Sequence, residues 1–343
     1  MPIRPYVSLV GGFAKYLTNV HSSSCNVIGL ERFTELLADE ERKKDGRGVL
    51  TYANHISVMD DPGVFGCMPW WTFQRPDTTR WTLGASDILF TNRLFNHLFN
   101  RGQVISTDRG RGIFQPALDR AIAKLEEGQW VHLFPEGYVN LSRTMVLRRF
   151  KWGMSRLLLE SQQRPRVVPI WIEGFDQMMP DPRGFPSFLP RPFAKLTIHF
   201  GEPIDRIGSA LDTMLDTLRC KHSLNPRGWE KEQELVSAKQ PSDVQREEAP
   251  SIPIPPPSTF PSVPTPDPAV MGWAPPPPDS RAAQAQQATL DDESAAMEAR
   301  SRLVEVLRRE LAWLGVRSRR LRGEKEGEVG RLVHSLVPDG SDR

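Results

Sequence analysis

Gly48-Val49-Leu50-Thr51-Tyr52-Ala53-Asn54-His55-Ile56-Ser57-Val58-Met59-Asp60-Asp61-Pro62 runs a short apolar stretch into a histidine and a carboxylate five positions apart. Gly48 to Ala53 reads as a short buried strand. Asp61 before Pro62 reads as a helix N-cap followed by proline at the first helical position. That assignment leaves Asp60 to turn back toward His55. A carboxylate on one imidazole nitrogen sets the tautomer and leaves the other nitrogen basic, which removal of a proton from an alcohol requires. A capped turn with an incidental histidine fits the same letters, so the neighbours decide.

Outward from this stretch the chain alternates. Glu31 to Arg42, Asp87 to Arg101, Pro116 to Glu127 and Gly153 to Ser161 carry helical patterns. Gln103 to Thr107, Trp130 to Phe134, Arg166 to Ile172 and Lys195 to Gly201 are strand-like. Such alternation predicts an α/β domain with a largely buried sheet. The catalytic domain is expected over residues 24–238.

The flanks have a different character. Tyr6, Val10, Phe13, Leu17 and Val20 form an apolar helical stripe, with Leu9 and Tyr16 beside it. Residues 1–23 therefore read either as a helix lying in a membrane interface or as one packed on its own domain. Residues 239–280 hold Pro255-Pro256-Pro257 and Pro275-Pro276-Pro277-Pro278, a proline-rich disordered linker by composition. Residues 281–323 read as an amphipathic helix with Leu303, Leu307, Leu311 and Leu314 on one stripe. Docking of that stripe on the catalytic domain is expected, with Arg317, Arg319, Arg320 and Arg322 left to meet anionic headgroups. Residues 324–343 read as a flexible tail.

Composition narrows the class. The 343 residues are 39% hydrophobic, enough for a core, while 31 prolines exceed what an ordinary globular chain holds. A formal net charge of +2 points to no nucleic acid or other polyanion. Cys25, Cys67 and Cys220 fit neither a disulfide framework nor a zinc site. No uninterrupted apolar run reaches spanning length, and neither a signal-peptide nor a transit-peptide pattern is read at the start.

Three further segments carry chemistry. Ser106-Thr107-Asp108-Arg109-Gly110 follows a strand and offers a guanidinium able to grip a phosphate through two donors. Phe134-Pro135-Glu136-Gly137 holds a carboxylate at a strand end, where sites in α/β folds gather. Val167-Val168-Pro169-Ile170-Trp171 reads as core or as an acyl-chain wall. A surface arginine, a plain turn and a core strand are the bland versions of the three.

The order of these blocks resembles the glycerolipid acyltransferase superfamily, and within it the tafazzin family. The matching segments are Asn54-His55, Ser57, Met59 to Pro62, Ala85 to Ile88, Phe90-Thr91, Arg109-Gly110, Trp130 to His132, Phe134 to Gly137, Val139-Asn140 and Arg149 to Gly153. They cover roughly residues 50 to 205. The Asp-Asp-Pro ending and the Phe-Lys-Trp-Gly string are the more specific parts. The C-terminal helix has a counterpart in the family and the proline-rich tract has none. Tyr138 stands where a basic residue is expected.

The resemblance implies a glycerol-3-phosphate acyltransferase-like single domain, its mixed sheet flanked by helices, plus the C-terminal helix. It implies acyl transfer between phospholipids and lysophospholipids, chiefly cardiolipin remodelling with phosphatidylcholine as a donor and no coenzyme A. It also implies a membrane surface as partner, with peripheral or monotopic attachment to mitochondrial inner and outer membranes facing the intermembrane space. In that reading His55 is the general base and Asp60 orients it. Arg109 holds a phosphate, Glu136 with Gly137 positions the glycerol or shapes the site, and Lys151 is a further headgroup contact. No metal or organic cofactor is required.

Rival readings remain at this stage. An acyl-coenzyme A-dependent lysophospholipid or 1-acylglycerol-3-phosphate acyltransferase would carry the same blocks. A lipid hydrolase would use water, and Ser57 is a nucleophile without a Gly-x-Ser-x-Gly elbow. A non-catalytic membrane-binding protein would have no use for His55, Asp60, Arg109 and Glu136 together.

Overall fold

The computed structural model describes residues 5–89, 93–141, 146–182, 185–186, 189–205, 211, 215 and 281–324. Seven strands are present among them: β1 (Ser24–Ile28), β2 (Val49–Ala53), β3 (Trp81–Ala85), β4 (Val104–Thr107), β5 (Trp130–Leu133), β6 (Arg166–Glu173) and β7 (Lys195–Phe200). The helices are α1 (Pro5–Tyr16), α2 (Leu30–Ala38), α3 (Glu40–Lys44), α4 (Asp60–Val64), α5 (Ser86–Leu89), α6 (Arg93–Arg101), α7 (Pro116–Glu126), α8 (Gly153–Glu160), α9 (Phe175–Met178) and α10 (Arg281–Leu321). Residues 1–224 and 298–343 group into one compact unit and residues 225–297 into another. Of the second unit, the described residues are the helical ones from 281 onward. The proline-rich tract at 239–280 and Cys220 lie outside the described residues.

The sheet runs β1-β7-β6-β2-β5-β3-β4. β2 to β6 all point one way, β7 pairs antiparallel with β6, and β1 follows β7. This is the α/β domain that the alternation of patterns predicts, with the mixed sheet flanked by helices that the family resemblance implies. β2 sits between β5 and β6 with both edges paired, helices pack on both its faces, and every residue of Val49–Ala53 is buried. Alternate side chains divide between two cores. Leu50 and Tyr52 join Val131, Leu133 and Trp171 against α7, α8 and α10. Val49 and Ala53 join Trp130, Ile170 and Ile172 against α1, α2 and α9. The carboxyl ends of β2, β4 and β5 share one edge of the sheet, and the histidine, arginine and glutamate motifs follow those strands.

Several elements depart from the sequence reading. The helix expected over Glu31 to Arg42 breaks at Asp39, whose side chain accepts from Arg42 N and starts α3. The Arg42 guanidinium then reaches inward to Gly128 O at 2.9 Å. β1 and β3 are short, half-exposed strands that acquire their state from pairing with β7 and with β4 and β5. Along α1 and the helical turn Leu17–His21 that continues it, the docked residues are Val7, Ala14 and Leu17, while Leu9, Phe13, Tyr16 and Val20 stay exposed. The N-terminal helix therefore packs on its own domain through small residues and turns most of the bulky stripe outward.

α10 docks as expected. Leu303, Leu307 and Leu311 are fully buried, and Tyr52 Oη donates to Leu307 O at 3.0 Å. Arg156 of α8 binds Asp119 of α7 and Glu160, and Arg300 of α10 reaches Glu160 at 3.2 Å. The arginines at the end of the helix correct the sequence reading. Arg319 and Arg322 hold the Glu173 carboxylate at 3.0 and 2.5 Å, so these two are clamps on β6 and are not free for headgroups. A second acceptor, Glu324, also lies 2.5 Å from Arg322.

Gly315 lies where α10 comes nearest the sheet: a Cβ there would sit 2.7 Å from Cε2 of the buried Trp171 ring. Helix propensity alone favours alanine by about 1 kcal/mol. Overpacking a closed core costs about 1–3 kcal/mol, so the steric term wins. Gly315→Ala is expected to lower stability in urea unfolding, and an increase would show that α10 is held less closely.

Candidate active site

The site begins at the end of β2. Asn54 continues the strand with its side chain, donating to Ile172 O and accepting from Ile172 N, both at 2.9 Å. The next residue is thereby lifted off the sheet. The His55 ring is stacked 4.3 Å from Phe134 at 21°. Its Nδ1 lies 2.9 Å from Asp60 Oδ2. Since a carboxylate accepts, Nδ1 carries the hydrogen and Nε2 keeps its lone pair, an assignment made from the hydrogen-bond network. Among the described residues nothing holds Nε2.

Asp60 has no solvent exposure. Its Oδ2 also accepts from Ile56 N at 2.6 Å and Ser57 N at 2.8 Å, so the loop 55–60 closes on one oxygen. Burial pushes the Asp60 carboxyl upward, and the donors from His55, Ser57 and Ile56 oppose the shift. Here the sequence reading of the helix start needs correction. α4 starts at Asp60 itself, after Met59, so Asp61 is its second residue and makes no cap. Asp61 instead takes the Arg80 guanidinium in a bidentate pair at 3.1 and 2.5 Å. One aspartate faces the histidine and the other is anchored by an arginine that also packs 4.6 Å over Phe65.

Glu136 is 1% exposed, and its carboxylate is occupied by the protein. Oε1 accepts from His55 N at 2.9 Å, while Oε2 accepts from Asn140 Nδ2 and Arg148 N, each at 3.0 Å. Asn140 N in turn donates to His55 O at 2.6 Å. Burial pushes the Glu136 carboxyl up against those donors. A carboxylate so placed shapes the site by fixing the histidine backbone. Gly137 turns the chain with φ of +75°, and a Cβ there would sit 3.3 Å from Lys151 Cγ. Lys151 N donates to Pro135 O at 2.8 Å, which holds this exposed lysine beside the turn. Arg109 follows β4, 3.8 Å from Asp87, with its guanidinium 4.8 Å from the Tyr138 ring centroid. The structure thus ties His55, Asp60, Glu136, Gly137 and Lys151 together directly, and brings Arg109 in through Tyr138. Among the described residues no three His, Cys, Asp or Glu side chains gather as metal ligands.

The acyltransferase family profile matches residues 26–173, a span that holds this whole cluster. The chain is 34% identical to an N-acylphosphatidylethanolamine synthase of Arabidopsis thaliana, covering 60% of this chain and 71% of that one. It is 36% identical to the protein named taffazin of Dictyostelium discoideum, covering 62% of this chain and 68% of that one. This chain belongs to the acyltransferase family. Tafazzin of Drosophila melanogaster is also similar, at 35% identity over 60% of this chain, and the chain spans only 52% of its length.

Several residues of this acyltransferase site were not singled out in the sequence. Asn140 and His132 stood inside matching segments with no role attached. Phe134 stood in the Phe-Pro-Glu-Gly block with no role of its own, and Arg80 carried no local signal because its partner Asp61 lies 19 positions away. His132 is fully buried behind Phe134, with ring centroids 4.7 Å apart. Its Nδ1 lies 2.8 Å from Thr51 Oγ1, which accepts from Trp130 Nε1 at 2.8 Å. Burial pushes its pKa down to about 3 from 6.5.

Two outcomes follow. Asp60→Asn keeps an oxygen for the Ile56 and Ser57 amides but cannot stabilise a charged imidazole. Turnover should fall about 10²–10⁴-fold, with the melting temperature nearly unchanged, and full turnover would remove the orienting role. For His132, the folded pKa lies below the unfolded one, so the unfolded chain takes the proton first as pH falls. Stability from this group is complete above about pH 6.5 and is lost as pH falls through the window down to about 3. His132→Asn should flatten the slope of stability against pH there by up to about 1.4 kcal/mol per pH unit, read by urea unfolding at successive pH values.

Proposed function

We propose that this acyltransferase moves acyl chains between phospholipids and lysophospholipids, cardiolipin and monolysocardiolipin among them, without coenzyme A. The observation that carries the reading is the Nδ1–Oδ2 contact of His55 with buried Asp60, which leaves Nε2 open beside Phe134. Nε2 takes the proton from a lysolipid hydroxyl while that oxygen attacks the ester carbonyl of a donor phospholipid. The tetrahedral adduct collapses, the donor's C–O ester bond breaks, and the departing oxygen recovers the proton from Nε2. One acyl ester is made and one lost, so no activated carrier is consumed. Asp60 stabilises the charged ring between the two transfers, Arg109 and Lys151 receive the headgroup, and Glu136 holds the backbone of the base.

The membrane is the partner this chemistry needs. Leu9, Phe13 and Tyr16 of α1 and Val20 of the turn after it are between 46% and 70% exposed, with Trp70 at 48%. Lys15, on the same helix, donates to Met68 O at 2.6 Å, holding α1 on the segment that follows α4. That places an apolar surface next to the helix bearing Asp60, which supports peripheral docking with the site toward lipid. No helix among the described residues is long and apolar enough to cross a membrane. Kinship with tafazzins supports mitochondrial inner and outer membranes, facing the intermembrane space. We retain residues 1–23 as the interfacial segment, 24–238 as the catalytic domain, 239–280 as linker, 281–323 as the docked helix and 324–343 as tail.

A second acceptor has support in the Arabidopsis relative, which is named for N-acylphosphatidylethanolamine. The same base would then assist attack by an amine in place of a hydroxyl.

Purified protein, given phosphatidylcholine with a labelled acyl chain and monolysocardiolipin but no coenzyme A, should place label in cardiolipin. A strict need for acyl-coenzyme A, or free fatty acid as the main product, would overturn the proposal. Phosphatidylethanolamine as acceptor separates the second reading, because an N-acyl product survives mild base. His55→Ala should cut transfer by about 10²-fold or more while vesicle binding and folding persist.

A further inference from the structure

Tyr138 stands at a position where a cation was expected, and its surroundings explain what replaces that cation. It follows the Gly137 turn and is 44% exposed. The guanidinium carbons of Arg109 and Arg148 lie 4.8 and 5.7 Å from its ring centroid, so the two cations are within about 10.5 Å of one another. Both are held from elsewhere. Arg109 arrives from the end of β4. Arg148 N donates at 3.0 Å to the Glu136 oxygen opposite the one that binds His55 N. The Arg148 backbone is thereby referred to the histidine backbone through one carboxylate.

Two like charges this close repel, and the negative face of the ring offsets only part of that. The nearest carboxylate to Arg109 is Asp87 at 3.8 Å, and its side chain is 60% exposed. Among the described residues Arg148 has no ion-pair partner, and the Glu136 charge is turned inward onto N–H donors. Two planar forks against one tyrosine ring, one of them without an ion-pair partner among the described residues, suit a phosphate.

We propose that Tyr138 is a platform presenting Arg109 and Arg148 together as one phosphate-binding mouth, which takes the phosphodiester of a phospholipid headgroup. This deepens the acyl-transfer reading and rests on it. Tyr138 is a positioning residue, acting through the two arginines, and Arg148 is a headgroup contact in its own right. A lysine at position 138 would add a third charge. The tyrosine instead orders two.

The test is binding to full-length protein carrying His55→Ala, so that no turnover intervenes. Monomeric dihexanoyl phosphatidylglycerol is titrated calorimetrically, with dihexanoylglycerol and inorganic phosphate as companion probes. Exposed cation–π contacts shift an equilibrium about twofold to fivefold each, and more when water is excluded. Tyr138→Leu and Arg148→Gln should each weaken phosphatidylglycerol binding about threefold to tenfold, and together by less than the product of the two. Tyr138→Phe should bind like its parent, and dihexanoylglycerol should not distinguish the variants. Inorganic phosphate competing with the lipid and showing the same ranking supports the mouth. Parent-like binding by Tyr138→Leu, a loss in Tyr138→Phe equal to that in Tyr138→Leu, or phosphate binding with none of the lipid would overturn it. Because the measurement needs no catalysis, it fails independently of the transacylation assay.

Discussion

A carboxylate with no solvent exposure has to be met by donors, and the loop that precedes Asp60 supplies them to one oxygen, Oδ2, while Oδ1 has no partner among the described residues. Three N–H groups converge on its Oδ2, from the His55 ring, Ile56 and Ser57. The His55–Asp60 geometry is therefore tied to the solvation of a buried carboxylate. If the loop opened, Asp60 would lose its solvation and His55 its tautomer in the same movement. Arg80 supports this arrangement from the other side by drawing off Asp61, so that two adjacent aspartates face opposite partners.

Glu136 repeats the device from β5. Its buried carboxylate joins the His55 amide, the Asn140 side chain and the Arg148 amide, which makes one small hub of three separate segments. Around the hub the ring environment is graded. Phe134 stacks on the imidazole on the open side, while His132 is held neutral behind it by burial.

Much of the frame was legible before any coordinates. The apolar period of Val49–Ala53 and Arg166–Glu173 marked buried strands because both faces of each are covered. Leu303, Leu307 and Leu311 marked a docked helix because their spacing is one face of it. β1 and β3 were missed because short, half-exposed segments take their state from pairing partners. The N-terminal stripe by its pattern alone fits a membrane interface and packing on its own domain equally; the structure brings Gly11 and Ala14 against Phe73 and Gly66 and leaves Leu9, Phe13, Tyr16 and Val20 exposed. The terminal arginines were read as free because Glu173, which binds two of them, lies about 150 positions earlier.

The sequence by itself determined which chemistry was present: an imidazole, a carboxylate five residues on, an arginine and a glutamate after strands, in an order shared with a known acyltransferase family. Those are local facts, set by residue type and short-range spacing. Tertiary structure alone decided which arginine pairs with Asp61 and that Glu136 grips protein backbone. It also decided that Tyr138 gathers Arg109 and Arg148. Each of these rests on a contact between strands or loops far apart in the chain, and desolvation at such contacts has no trace in local spacing.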